Sequence, residues 1–371
     1  MNIAFAGLAA LAVAMGIGRF AFTPILPMMQ QDAGLSVAGG GWLASANYLG
    51  YFAGAVWAGA VRVQGTVAIR AGLAAIAFST LAMALDAGFA AWGLLRAIAG
   101  VASAWVLVHT SAWALERLAP LRLPILAGVL YAGVGTGIVV AGGLCVALMA
   151  ARAGSASAWL LLGIVAAATT AALWPVFRVS NEKERGFAGP HLWSGAQLCL
   201  VLAYGAYGFG YIIPATFLPV MARAVVSDPS VFGWAWPVFG AAAALSTLGV
   251  ALLARRHGNR AAWIASQFAM ALGVAAPVAW PGIGGIVLAA LCVGGTFVVI
   301  TMLGMQEARS VAGVQAPRLM AAMTAAFAAG QIAGPLSVSL IVGLGGCFAA
   351  ALLIACAVLV AGGCLLFTSS R

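Results

Sequence analysis

Residues 3–29 read IAFAGLAALAVAMGIGRFAFTPILPMM, an apolar run interrupted by a single charge, Arg19. As a helix, a run of this length crosses the roughly 30 Å hydrocarbon layer of a bilayer. It has no basic stretch ahead of it and continues well past the length of a signal-peptide core, so it reads as a permanent first membrane helix. The same pattern recurs at 36–61, 66–85, 88–115, 123–150, 156–177, 194–221, 231–254, 261–280, 283–306, 317–343 and 346–367. That makes twelve helices with short polar breaks, the arrangement expected where only helices can satisfy their own backbone in lipid.

Composition agrees. Hydrophobic residues make up 64% and charged residues 6% of the chain, where soluble domains carry about 25% charge. The net charge of +10 forms no patch, which argues against nucleic acid as a partner and for the lipid bilayer. The six cysteines fall inside apolar runs without CxxC spacing or a neighbouring His, so they read as packing residues, with no metal and no cofactor expected. A monomer is expected.

Alternate loops divide the basic residues very unevenly. With both termini inside, the inner face holds Arg62, Arg70, Arg117, Arg122, Arg178, Lys183, Arg185, Arg255, Arg256, Arg260, Arg309, Arg318 and Arg371, and the outer face Arg152 and Arg223. The positive-inside rule then places both termini in the cytoplasm, and an inner-membrane location is expected.

Sliding the sequence by 192 positions brings Gly16, Gly18, Leu26, Pro27, Met29, Gly41 and Trp42 onto Gly208, Gly210, Leu218, Pro219, Met221, Gly233 and Trp234. A six-plus-six duplication follows: an N-terminal bundle over 1–178, a cytoplasmic linker over 179–192 and a C-terminal bundle over 193–371.

The stretches GIGRFAFTPILPMM (16–29) and GWLASANYLGYFAGA (41–55) resemble the YbfB/YjiJ-like family of bacterial major facilitator transporters. LLRAIAGVASA (94–104) is similar to that superfamily's Arg-x-x-x-Gly-x-x-x-Ala pattern, with Arg96, Gly100 and Ala104 in place, and GQIAGP stands at 330–335. The superfamily's Asp-containing signature between helices two and three is eroded to GAVRVQGTVAIR (59–70), and its repeat ARRHGNR (254–260) has Arg255 where Asp would stand. The resemblance implies an all-α major facilitator fold and secondary transport. It names no substrate.

Three ionisable side chains sit well inside predicted helices: Arg19, Arg96 and His109. A charge in lipid costs about 3 kcal/mol or more, so such residues face a cavity or a partner. At 100° per residue Trp92, Arg96, Gly100, Ser103 and Thr110 share one stripe of the fourth helix, predicting a cavity face, whereas His109 points away. Arg96 reads either as a substrate or coupling residue or as a clamp on helix backbone. Arg19 reads as an anion ligand or as a donor to the Phe20 carbonyl that Pro24 frees. Tyr204, Tyr207 and Tyr211 form a stripe on the seventh helix, and Tyr211 stands at the repeat position of Arg19. Asn47, Gln267 and Gln331 are further polar candidates, each read as an interhelical hydrogen bond ahead of a ligand.

These features point to a secondary transporter that moves a small organic solute, expected to be an anion, by alternating access, with protons a candidate coupling ion. A proton-coupled exporter of amphiphilic drugs would call for a membrane acid, and no Asp or Glu lies deep in a helix. A membrane-embedded enzyme or sensor would call for a catalytic cluster or an added soluble domain, so the chain is read as a non-enzyme. The topology has a direct test: in a cysteine-free background, Asn181→Cys should resist a membrane-impermeant thiol reagent in intact cells and react after permeabilisation. Labelling in intact cells reverses the orientation.

Overall fold

A computed structural model describes residues 2–61, 63–178, 193–225 and 229–368. The expected linker 179–192 lies outside these residues, as do Arg62, Asp228 and the side chains at 217–225. The chain runs through α1 (Asn2–Asp32), α2 (Val37–Ala60), α3 (Gly65–Ala82), α4 (Phe89–Leu118), α5 (Ile125–Ala150), α6 (Ser155–Leu173), α7 (Gly195–Val225), α8 (Pro229–His257), α9 (Asn259–Ala279), α10 (Ile283–Ala312), α11 (Ala316–Gly343) and α12 (Phe348–Thr368). Nine described stretches are long and apolar enough to span on their own, one of them, Ile283–Ile341, holding two helices. With α2 and α8, the twelve expected helices are accounted for.

The helices pack in matching patterns. In the first half α4 lies against α2 and α3, α5 against α1, and α6 against α3; in the second half α10 lies against α8 and α9, α11 against α7, and α12 against α9. The halves meet along α5–α8 and α2–α11, contacts that exchange under the same repeat. One glycine pair marks the duplication. Gly137 crosses Gly16 of α1, and at offsets of 193 and 192 its counterpart Gly330 crosses Gly208 of α7. Helix backbones approach closely there because van der Waals contact, rather than the hydrophobic effect, holds helices together in lipid.

Two helix ends, those of α6 and α12, each meet an arginine from the eroded loops. Arg70 Nε donates to Trp174 O at 3.1 Å beyond α6, and Arg260 Nε to Leu366 O at 3.0 Å near the end of α12. Cationic side chains near helix C-termini hydrogen-bond the last carbonyls in this way. Arg260 also lies 4.0 Å from Glu307. At the opposite end of α6, the Asp32 carboxylate accepts from Ser155 N and from Ser155 Oγ (2.8 Å), which caps the helix.

The α5–α8 crossing is built on small residues seven apart: Gly128 against Thr247 and Ala251, Gly135 against Gly240 and Ala244, and Gly142 against Pro237. A Cβ on Gly135 would sit 2.5 Å from the Ala244 nitrogen, whereas one on Gly143 meets nothing within 4 Å. Gly135→Leu should therefore destabilise the folded protein by about 1–3 kcal/mol through overpacking. Gly143→Leu should leave thermal unfolding in detergent unchanged, and equal unfolding temperatures for the two variants contradict the crossing.

Candidate functional site

The middle of α1 departs from α-helical geometry. Residues Ala12–Phe20 form a π-helix between α-helical ends. A π turn takes an extra residue per hydrogen bond and widens the helix, a local change that recurs at functional sites. Three carbonyls of this segment accept side-chain donors. Ser103 Oγ reaches Ala14 O at 2.7 Å, Arg96 Nη1 reaches Gly18 O at 3.1 Å and Arg96 Nη2 reaches Arg19 O at 3.2 Å. Asn47 Nδ2 holds Arg96 O at 2.9 Å and lies 3.4 Å from Gly18 O. Glycine makes this possible: a Cβ on Gly18 would meet Ser103 Oγ at 2.8 Å, and one on Gly100 would meet Tyr51 N at 2.8 Å.

Arg96 is thus a backbone clamp in geometry. Its two terminal nitrogens are spent within the first half, and its guanidinium faces the rings of Phe22 at 4.9 Å and Trp159 at 5.9 Å. Arg19 differs. It is 3% exposed, and Nη2 donates to Gln331 Oε1 on α11, across the junction between the halves. Its carbon Cζ lies 3.9 Å from the centre of the Tyr51 ring, with Phe20, Tyr48 and Phe327 at 5.5–5.6 Å. Nε and Nη1 are buried without a partner. The hydrogen bond from Arg19 goes to Gln331 rather than to the Phe20 carbonyl. No ion pair joins Arg19 or Arg96 to a carboxylate among the described residues.

Beside Arg19 an aromatic cluster closes the centre of the molecule. Tyr211 stacks on Phe297 at 5.3 Å and on Phe327 at 6.1 Å, Tyr207 lies 4.8 Å from Phe327, and Tyr204 lies 5.3 Å from Tyr207. Tyr207 OH donates to Phe297 O at 2.6 Å. A cavity of about 20 Å³ remains, lined by Met15, Phe20, Tyr51 and Leu107 of the first half and by Tyr204, Tyr207, Phe297 and Phe327 of the second, among others. That is room for about one water molecule. The two halves are closed on each other.

Of the expected polar stripe on α4, Arg96 and Ser103 reach α1 and Gly100 packs on α2, and none of its members lines this cavity. Arg96, Ser103 and Asn47 bind backbone, Thr110 is buried with an unpartnered hydroxyl, and Leu107 is the α4 side chain on the cavity. His109 is buried beside Trp105, 6.0 Å between ring centres, away from both arginines. Gln267 forms the expected interhelical bonds, accepting from Trp263 Nε1 at 2.9 Å and donating to Leu359 O at 3.1 Å. Sequence reasoning missed Tyr48, Tyr51, Phe297 and Phe327. Tyr51 was findable, since it lies one turn beyond Asn47 on the inward face of α2.

The family described as the uncharacterised MFS-type transporter YbfB matches residues 11–367. No curated protein matches the chain.

The clamp geometry is testable. Arg96→Met removes the side-chain donor of the Arg19 carbonyl inside lipid, and a buried polar group left unbonded costs about 1–3 kcal/mol. Arg96→Met should lower the unfolding temperature in detergent, while Thr110→Val should not. Unchanged stability of Arg96→Met removes the clamp.

Proposed function

The chain belongs to the YbfB family of major facilitator transporters, and we propose that it carries a small organic anion with an aromatic or apolar body by alternating access. The observation that carries this reading is Arg19, a buried cation with two unpartnered N–H groups and no carboxylate beside it among the described residues. A permanent charge in a dry site calls for a counter-charge. A substrate carboxylate supplies one, and a guanidinium edge binds it through two parallel hydrogen bonds.

The rest of the site suits such a solute. The rings of Tyr51, Tyr207, Tyr211, Phe297 and Phe327 offer flat apolar surface next to the charge, so the first half would hold the carboxylate and the second most of the body. A cation would face like charge in a low dielectric, at several kcal/mol before screening, which disfavours a role in exporting cationic drugs. Because the cavity holds about one water, loading needs the halves to part along α2–α11 and α5–α8, opening the site to one side at a time. The thirteen-to-two distribution of basic residues supports placing both termini in the cytoplasm and the chain in the inner membrane.

The test is uptake into proteoliposomes of labelled benzoate, phenylacetate and hexanoate against tetraphenylphosphonium, under imposed pH and voltage gradients. A carboxylate should be taken up and the cation should not. Arg19→Gln should lower carboxylate uptake about 10- to 100-fold, the span expected for losing a charge-assisted pair of hydrogen bonds. Arg19→Lys should keep part of it. Transport of tetraphenylphosphonium, or normal transport by Arg19→Gln, sinks the reading.

A further inference from the structure

We infer that Gln331 is the second ligand of the anion site, supplied by the C-terminal half, and that its carbonyl takes the place of the substrate carboxylate on Arg19 when the carrier closes without solute. This rests on the anion reading above.

The hydrogen-bond inventory leads to it. Gln331 is fully buried, its Oε1 accepts from Arg19 Nη2, and its Nε2 has no partner. The opposite amide orientation would set two donors against each other, so this one is fixed by chemistry. Three donor nitrogens are then left over at one point between the halves: Nε and Nη1 of Arg19 and Nε2 of Gln331. A carboxylate is acceptor-only, with about four lone-pair sites, and would satisfy such a set.

Backbone packing fixes where this amide stands. A Cβ on the preceding residue, Gly330, would lie 2.6 Å from the Phe209 nitrogen, so α11 rests directly on α7. Its rotation about its own axis is set by that contact, and the next residue points at Arg19. The site is therefore complete with both halves present and is divided when they part.

The choice of an amide has a mechanistic consequence. With an apolar residue at 331, closure without solute would bury the Arg19 cation with no acceptor, a high barrier to resetting the carrier. A Glu there would form a permanent ion pair that competes with the substrate. Gln is neutral and offers one acceptor. It lets the carrier close without solute, yet a full negative charge displaces it, since charge-assisted hydrogen bonds are about twice as strong as neutral ones.

Closure can be read directly from spin-label distances in detergent, in a cysteine-free background. One pair of labels goes at Ala60 and Ala322, beside the Gly59–Ala321 contact between the halves. A second goes at Val140 and Val238, beside the Gly142–Pro237 contact. The wild type should be mostly closed without added anion. Gln331→Leu should lose about tenfold in the closed-to-open ratio at one pair or the other, the effect of one hydrogen bond to a charged group. Excess benzoate should restore closure in Gln331→Leu but not in Arg19→Gln/Gln331→Leu. Gln331→Glu should stay closed and ignore benzoate, and this variant also guards against a Leu replacement that fails to fold.

A Gln331→Leu protein as closed as the wild type, without anion, overturns the stand-in role. If Gln331→Leu opens and neither benzoate nor hexanoate recloses it, while the wild type transports either one, the second-ligand role is overturned. If no carboxylate is transported by any variant, the anion reading fails and the stand-in role falls with it, and an opened Gln331→Leu protein then shows only that the Arg19–Gln331 hydrogen bond holds the closed form.

Discussion

Hydrogen bonds from Ser103, Asn47 and Arg96 to the backbone of α1 are what the centre of this protein depends on. The π segment Ala12–Phe20 carries its own i→i+5 bonds, and three of its carbonyls accept further donors, which in lipid only the protein can supply. Residues of α2 and α4 provide them, and in doing so bind three helices of the first half into one unit. Gly18 and Gly100 are part of the same solution, because a side chain at either position would hold the helices too far apart for these bonds to form. The orientation of Arg19 follows from this scaffold, since its own carbonyl is one of the clamped groups.

The two membrane arginines illustrate how little residue type decides alone. Both are 3% exposed and both lie against aromatic faces. Arg96 directs its terminal nitrogens at carbonyls of its own half, so its charge is spread over dipoles that do not move relative to it. Arg19 reaches across the junction and keeps two N–H groups unused. The first arrangement suits a structural clamp, and the second suits a ligand whose partner changes during a cycle.

The sequence revealed the architecture more fully than the site. Helix count and the 192-residue repeat follow from apolar run length and from register, and both are visible without side-chain positions. The structure adds the physical reason for that register, because Gly16 and Gly137 make in one half the crossing that Gly208 and Gly330 make in the other. The stripe of α4 was legible as a polar face, but periodicity gives a direction relative to the helix axis and not what lies there. What lies there is backbone of α1 at Arg96 and Ser103 and of α2 at Gly100. The π segment left no pattern in residue types, and a pairing such as Arg19 with Gln331, 312 positions apart, depends on how twelve helices assemble.

Closure of the two halves involves two kinds of contact with different consequences for motion. Along α5–α8, small residues bring backbones together over most of the helix length, a surface that can slide or part without leaving polar groups exposed to lipid. At Arg19 the contact is polar, and breaking it leaves a cation that water or an anion must solvate. The apolar crossing therefore permits rocking in either direction, while the polar contact sets which closed forms are accessible. Under the proposed anion reading, solute couples to movement because Arg19, a buried cation with two unpartnered nitrogens, sits where the halves separate. The hydrogen bonds of Arg96, Asn47 and Ser103 tie α1, α2 and α4 together, so the charge of Arg19 acts on the junction rather than on the fold.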